Sequence, residues 1–319
     1  MQALLTARGL SFGMMLLGAA QIAISQVPPK PAAAGSVLDK LRAGAPLQLG
    51  YRAEARPFSY RDEAGLPAGY SVDLCHRMID AVKSEPGLSG VTATWVPIVA
   101  GDRFGALESG KIHIFCGADT ITAERKNHVA FSMPIFPGGI GALVRSDAPA
   151  RLREVLLTGG RNNPAAAAGT ANPPKQEDVQ TLFMRAFTAV TNTTSAAWLR
   201  SRIKDFGVQA FVLPVESFDT GVDQLLGNKT DAFFAERAML LDTVRRHPSG
   251  RMLTVVDRFY TEESLALSFP RGDEPWRQLA DRTLSGLYAS GEVSNVYEKW
   301  FGPLDERTRE FFRTIKPSE

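Results

Sequence analysis

Residues 92–120 read TATWVPIVAGDRFGALESGKIHIFCGADT, and this stretch sets the fold class. Its β-branched and aromatic beginning predicts a strand over Thr92–Ile98. Arg103–Ser109 is predicted as a short helix, because Gly110 supplies the glycine that commonly ends one. Alternating apolar residues after that glycine predict a second strand that reaches Cys116. The succession of strand, short helix and strand predicts a βαβ unit with a parallel sheet.

The same alternation continues on both sides of this stretch. Upstream, Leu47–Leu49 is a predicted strand, and a helical face begins near Ser71, with Ser71 or Asp73 as its N-cap. Downstream, the pattern restarts after Arg145 and predicts a second α/β lobe. The elements predicted there are Thr188–Val190, Val208–Leu213 and Ala232–Phe234 as strands and Ala196–Ile203, Phe218–Leu226 and Arg237–Arg246 as helices. A helical, aromatic part, Trp276–Phe301, is expected to pack back on one lobe.

Composition narrows the class of protein further. The chain has 319 residues, of which 44% are hydrophobic and 22% charged, so it is long enough for about two domains with sizeable cores. These values exclude collagen, a disulfide-dense miniprotein and global disorder. Because 36 Lys and Arg stand against 34 Asp and Glu, the chain lacks the basic excess typical of nucleic-acid binding.

The N-terminal 25 residues resemble a targeting segment. They carry one charged side chain, Arg8, followed by the apolar run Leu10–Ile24 and the small-residue pattern Ala23-Ile24-Ser25. These features predict a cleavable secretory signal. A short membrane anchor is the alternative, although the run is shorter than the roughly 18–20 apolar residues that a span requires. We therefore expect an exported, periplasmic protein with a signal peptide over residues 1–25.

The expected domain organisation has two lobes. One lobe is expected over 26–143 and 264–319, and the other over 144–263, with crossings near Ala142–Arg145 and Ser264–Ser268. A stretch rich in Gly, Asn, Ala and Pro predicts a flexible surface insertion at 158–180.

The two cysteines, Cys75 and Cys116, leave two possibilities open. An even pair in an oxidising compartment favours one disulfide, and two separate buried thiols are the alternative. Their spacing does not fit a zinc site, and the four histidines show no grouping typical of metal ligands. No metal and no cofactor are therefore expected.

Polar residues follow the predicted strands in both lobes. Open parallel sheets bind ligands beyond the carboxyl ends of their strands, and Arg52, Arg103 and Arg125 lie after the strands of the first lobe. In the second lobe, hydroxyl residues around Thr193 open a helix, and Glu236 follows a strand. An arginine side chain binds a carboxylate through two parallel hydrogen bonds, in bidentate geometry. A single acidic side chain can form an ion pair with an ammonium group. The pattern predicts a binding site for a small zwitterion. The presence of three arginines indicates that this ligand carries a second carboxylate.

Several segments share features with one family. They are Arg56–Tyr60, Gly69–Cys75, Arg103 with Glu108–Gly110, Cys116–Gly117, Thr120–Arg125, Ser290–Glu292 and Glu298–Phe301. Together they resemble the periplasmic amino-acid-binding proteins of ABC importers, solute-binding protein family 3, and in particular its glutamate/aspartate branch. The resemblance spans about residues 37–303. It implies an α/β, two-lobed periplasmic-binding-protein fold of type II with a ligand cleft between the lobes.

The resemblance also implies roles for the residues that bind the amino acid's backbone groups. Arg125 would hold the α-carboxylate, aided by Thr120 and by the region of Thr193. Glu236 stands where the family places the acid that receives the ammonium group. It is one methylene longer than the usual Asp.

Further roles implied by the resemblance concern the ligand's side chain and the cysteines. Arg52 and Arg103 match positions that meet the side-chain carboxylate in the glutamate/aspartate branch. Ala118 belongs to the same set of ligand-binding positions, although that branch usually has a hydroxyl there. Cys75 and Cys116 match the branch's disulfide.

The resemblance implies a monomeric binding protein without a cofactor. It would capture an acidic amino acid and deliver it to ABC permease subunits in the inner membrane. One alternative is a periplasmic enzyme on the same scaffold, similar to cyclohexadienyl dehydratase, with Glu236, Asp119 or His113 as acid or base. Another is a sensory ligand-binding domain.

Overall fold

A computed structural model describes residues 35–158 and 176–315. The predicted signal peptide, 1–25, and most of the predicted insertion lie outside the described residues. The helices are α1 (Val37–Arg42), α2 (Tyr70–Ser84), α3 (Arg103–Glu108), α4 (Ala150–Thr158), α5 (Gln176–Leu182), α6 (Thr194–Asp205), α7 (Phe218–Leu226), α8 (Arg237–Arg246), α9 (Glu274–Ser290), α10 (Glu292–Phe301) and α11 (Glu306–Thr314). The strands are β1 (Leu47–Tyr51), β2 (Glu54–Ala55), β3 (Ser59–Arg61), β4 (Pro67–Ala68), β5 (Ala93–Pro97), β6 (Ile114–Thr120), β7 (Val129–Phe131), β8 (Phe136–Gly138), β9 (Ile140–Arg145), β10 (Ala186–Val190), β11 (Phe211–Val215), β12 (Ala232–Glu236), β13 (Leu253–Val255) and β14 (Glu263–Pro270).

The first sheet has the strand order β5-β1-β6-β14-β7, and β8 also pairs with β14. Strand β1 runs parallel to β5 and to β6, which confirms the parallel βαβ unit predicted from residues 92–120. Four of the five residues of β1 are buried, as expected of a central parallel strand. Helices α2 and α9 pack on this sheet, and Met78 and Trp276 are fully buried in the core.

The second sheet has the strand order β11-β10-β12-β9-β13. Strand β10 runs parallel to β11 and β12, whereas β9 runs antiparallel to β12 and β13. The second α/β unit is therefore confirmed. Strand β11 begins three residues later than predicted, because Val208 still belongs to the turn after α6 and donates its backbone N–H to Ile203.

The chain crosses between the sheets at two adjacent places. The first crossing is at Gly139, between β8 of the first sheet and β9 of the second. It comes earlier than the expected Ala142–Arg145, because all of β9 pairs within the second sheet. The return follows β13 and reaches the first sheet at β14, which begins at Glu263. The expected boundary between 143 and 144 thus falls within β9, and the one between 263 and 264 falls at the start of β14.

The first turn of α2 differs from the prediction that Ser71 or Asp73 caps it. The N-cap is Gly69, with φ of 132°, and a Cβ there would lie 2.2 Å from the carbonyl oxygen of Phe58. Ser71 is buried within the first turn. Asp73 instead accepts from Lys299 and Trp300 of α10, at 2.7 Å each. The predicted caps are wrong because both residues lie inside the helix, after Gly69, and the Asp73 carboxylate is used in contacts with α10.

A disulfide joins α2 to β6. Cys75 and Cys116 are bonded, with 6.1 Å between their Cα atoms, so the pairing implied by the resemblance is confirmed.

The segment predicted as an insertion, 158–180, overlaps a helix at its C-terminal end, because residues 176–180 lie in α5. Asp178 of that helix is buried and pairs with Arg151 of α4 at 2.9 Å. Among the described residues, no helix is long and apolar enough to span a membrane.

Candidate functional site

All seven predicted ligand-binding residues line one cleft. The space between the lining residues is about 820 Å³, part of which is open to solvent. The first sheet and its loops contribute Arg52, Arg103, Ala118, Thr120 and Arg125, and the second contributes Thr193 and Glu236. They meet because β1, β6, β10 and β12 all direct their carboxyl ends toward the same gap.

Arg125 lies after β6, in a single turn of 3₁₀ helix. Its Nη1 donates to the carbonyl oxygen of Thr120 at 2.9 Å. Burial lowers the pKa of Arg125 from its usual value, and the nearby Asp119 carboxylate opposes this effect. The guanidinium stays charged at neutral pH. It forms no salt bridge with any described residue, so it keeps its charge available for a ligand carboxylate.

Arg103 is buried and already has an acidic partner. Its Nε donates to Asp119 Oδ1 at 2.7 Å, and its guanidinium lies 4.2 Å from the centre of the Phe104 ring. The other Asp119 oxygen accepts from Ser268 Oγ at 2.8 Å. The charge of Arg103 is therefore largely balanced within the protein.

Arg52 is also paired, with an acid two residues away. Its Nε and Nη2 both donate to Glu54 Oε1, at 3.0 and 2.6 Å. Its backbone N–H donates to Ser59 Oγ, which fixes the start of the loop after β1. Two of the three predicted arginines thus share their charge with the protein's own carboxylates.

Glu236 ends β12 and caps α8. Its Oε2 accepts from the backbone N–H of Gly139 at 2.8 Å, and Oε1 accepts from Ala238 at 3.3 Å. Dense protein around the carboxyl raises the pKa of Glu236 to about 8, and the negative charge of Glu263 acts in the same direction. The side chain still faces the cleft, where an ammonium group would favour its ionised form.

The start of α6 provides hydroxyl groups from the second lobe. Thr193 is the N-cap and accepts from Ala196 N–H at 3.2 Å, while its hydroxyl donates to Val190. Its side chain is therefore used by the helix itself. Thr194 and Ser195, one and two residues later, also line the cleft.

Glu263 lines the cleft too and was not predicted. Its Oε2 accepts from Thr120 Oγ1 at 2.6 Å and from Thr194 Oγ1 at 3.3 Å. Oε1 accepts from Thr261 Oγ1 at 3.1 Å. The only signal in the sequence was its position one residue before the expected crossing at Ser264–Ser268.

His113, the histidine considered as an acid or base, lies in the core rather than in the cleft lining. Its Nδ1 accepts from the backbone N–H of Gln48 at 3.2 Å, and its carbonyl oxygen accepts from Trp276 Nε1 at 2.7 Å. Burial lowers the pKa of His113, so the ring is neutral at pH 7. No three His, Cys, Asp or Glu side chains within 35–158 and 176–315 are grouped to hold a metal ion.

Residues 47–303 match the family of bacterial extracellular solute-binding proteins, family 3. One similar protein is the glutamate/aspartate import solute-binding protein of Escherichia coli K12, which is 23% identical over 278 residues, 87% of this chain and 83% of that protein. The L-glutamate/L-aspartate-binding protein of Pseudomonas aeruginosa is 25% identical over 265 residues, 83% and 79% of the two chains.

Solved structures share the fold. The ancestral amino acid-binding protein AncCDT-1, a precursor of cyclohexadienyl dehydratase, aligns with a TM-score of 0.65 and 23% identity. The alignment covers 84% of this chain and all of that one. Because the family match spans most of the chain and both sheets, the chain belongs to the bacterial extracellular solute-binding proteins, family 3.

Proposed function

We propose that this protein captures a free α-amino acid in the periplasm, in the cleft between two lobes, and delivers it to an ABC permease. The observation that carries the proposal is the presence of Arg125 and Glu236 in one cleft. Arg125 has no acidic partner among the described residues, and Glu236 accepts hydrogen bonds from backbone N–H groups. An α-carboxylate fits the first residue, and an ammonium group fits the second.

We propose further that the amino acid is acidic, glutamate or aspartate. The two relatives described above carry that specificity in their names, and Arg52 and Arg103 line the same cleft. Each of these arginines is paired, with Glu54 and Asp119 respectively. The side-chain carboxylate of a bound ligand therefore has to share one of these arginines with the protein's own acid, or displace that acid from it.

Titration calorimetry with L-glutamate, L-aspartate, L-glutamine and neutral amino acids tests both levels of the proposal. We expect saturable one-to-one binding that is tightest for an acidic ligand. Arg52→Ala should weaken binding of L-glutamate more than binding of L-glutamine. If no amino acid gives saturable heat, the proposal is wrong. Equal affinity for L-glutamate and L-glutamine would remove only the acidic specificity.

Periplasmic localisation is part of this proposal. It is supported by the export signal predicted at residues 1–25, by the Cys75–Cys116 disulfide and by membership of an extracellular family. Cell fractionation of the full chain tests it. The mature protein should appear in the periplasmic fraction, and its N-terminal sequence should begin after the signal.

An enzyme on the same scaffold is the second candidate. Its support is the AncCDT-1 neighbour and the raised pKa of Glu236, which leaves a protonated carboxyl in the cleft near neutral pH. Such a group is able to act as a general acid. Nuclear magnetic resonance of bound ligand recovered after prolonged incubation separates the candidates. A binding protein returns the amino acid unchanged, whereas conversion of a hydroxylated cyclic carboxylic acid would indicate a dehydratase.

A further inference from the structure

Glu263 is placed where the chain returns to the first sheet, with its carboxylate in the cleft. Its Oε2 accepts from Thr120, which ends β6, and from Thr194, which begins α6. One oxygen of a protein carboxylate therefore joins donors from both sides of the cleft. Thr261 fixes the other oxygen at 3.1 Å.

These donors belong to the region proposed for the ligand's α-carboxylate. The carbonyl oxygen of Thr120 accepts from Arg125 Nη1 at 2.9 Å, and both residues line the same cleft. Thr194 is the first residue of a 12-residue helix, and a helix N-terminus attracts anions. Glu263 thus occupies a place that suits a carboxylate of a bound molecule.

A second carboxylate cannot use the same donors at the same time. A threonine hydroxyl has one proton to donate, and that of Thr120 points to Glu263 at 2.6 Å. The negative charge of Glu263 also acts on both Arg125 and Glu236. An arriving carboxylate would therefore meet a like charge beside the arginine that attracts it.

Resting on the proposed function, we propose that Glu263 is an internal competitor for the ligand's α-carboxylate. Binding requires an exchange in which Glu263 releases Thr120 and Thr194 and the ligand takes these donors over. Glu263 thereby lowers the apparent affinity for every ligand with a free α-carboxylate. The apparent dissociation constant equals the intrinsic one divided by the fraction of molecules in which the donors are available.

The opposite role for Glu263 is that of a second acid for a ligand's cationic group. The two roles differ in the sign of their effect. Removal of a competitor strengthens binding, and removal of a partner weakens it.

Glu263→Gln provides the test, because it removes the charge and keeps the shape of the side chain. The matched control is Glu262→Gln, which removes the same charge from the exposed neighbour. Calorimetry with L-glutamate and L-glutamine should give dissociation constants about tenfold lower for Glu263→Gln with both ligands, as for a competent fraction of roughly one tenth. The control should match the wild type.

A crystal structure of the wild type with a bound amino acid supplies a readout that needs no variant. Glu263 Oε2 should then lie beyond hydrogen-bond distance of Thr120 Oγ1, with the ligand carboxylate in its place. Unchanged or weaker binding by Glu263→Gln, or a retained Glu263–Thr120 hydrogen bond beside the ligand, overturns this inference and leaves the proposed function standing. If the wild type binds no amino acid, both proposals are wrong.

Discussion

At the scale of single residues, the three cleft arginines differ in what holds them. Arg103 and its partner Asp119 keep only 7% and 8% of their side chains exposed, so loss of either leaves an uncompensated buried charge and damages the fold. Arg52 is held by a neighbour in sequence, Glu54. Arg125 is held by a carbonyl oxygen, so its substitution affects ligand binding more directly than folding.

Arg125→Ala should therefore weaken the binding of every amino-acid ligand, whatever the ligand's side chain. Loss of one partner of a desolvated charge pair costs roughly 2–5 kcal/mol. Titration calorimetry measures this, with thermal melting as a check on the fold. Arg313→Ala is the control, because that side chain on α11 is 76% exposed. Wild-type affinity in Arg125→Ala would show that the α-carboxylate binds elsewhere.

Glu236 should make ligand binding release a proton at pH 7. With a pKa of about 8, the carboxyl is mostly protonated at that pH, and an ammonium group against it favours the ionised form. The calorimetric enthalpy should therefore vary with the ionisation enthalpy of the buffer and correspond to nearly one proton. Above about pH 9 the release should disappear in the wild type, and Glu236→Gln should abolish it at pH 7. An enthalpy independent of buffer would contradict the assignment.

Glu236 should also make the free energy of unfolding depend on pH. Its pKa lies above that of an unfolded glutamate, about 4.5, so between about pH 4.5 and pH 8 the native state binds more protons than the unfolded state. Stability from this group is therefore highest below that window and falls as the pH rises through it.

At the scale of elements, the crossing at Gly139 shows why two glycines stand together there. A Cβ at Gly139 would lie 2.3 Å from the carbonyl oxygen of Thr261, and one at Gly138 would lie 2.8 Å from Glu236 Oε2. The two crossing segments and the cleft acid thus approach more closely than any side chain allows. The close contact therefore requires glycine at both positions.

Gly139→Ala should lower the free energy of unfolding by about 1–3 kcal/mol, since the crossing segments would have to move apart. Urea denaturation measures the loss. Gly286→Ala is the control, because a Cβ at that position in α9 meets no atom within 4 Å, and alanine favours a helix by up to about 1 kcal/mol. Equal stability of the Gly139→Ala variant and the wild type would contradict the close approach.

Elements with a strong internal pattern were predictable from the sequence. The periodicity of Arg237–Arg246 gave α8 with its observed bounds, and the alternation around Leu47 located β1. The first crossing was missed because β9 is a continuous apolar strand, and its sheet is decided by pairing with β12. Glu263 was missed for a related reason: Thr120, its partner, is 143 residues away.

At the scale of the whole molecule, the cleft is bridged by contacts from both sheets. The hydroxyls of Thr120 and Thr194 both donate to Glu263 Oε2. Across the gap, Arg56 forms an ion pair with Asp242 of α8, with 3.0 Å between Arg56 Nε and Asp242 Oδ2. Because the described part of the chain crosses only at Gly139 and before Glu263, the two halves are joined by a narrow connection. Such a connection suits hinge closure, in which contacts to both halves favour the closed state.

The central claim is that a free amino acid lies between these halves with its carboxylate on Arg125 and its ammonium group on Glu236. A crystal structure of the protein grown with saturating L-glutamate tests it most directly. We expect density for one molecule in the cleft, with its carboxylate within hydrogen-bond distance of the Arg125 guanidinium and its nitrogen within the same distance of the Glu236 carboxylate. A ligand bound in the cleft that touches neither side chain would contradict it.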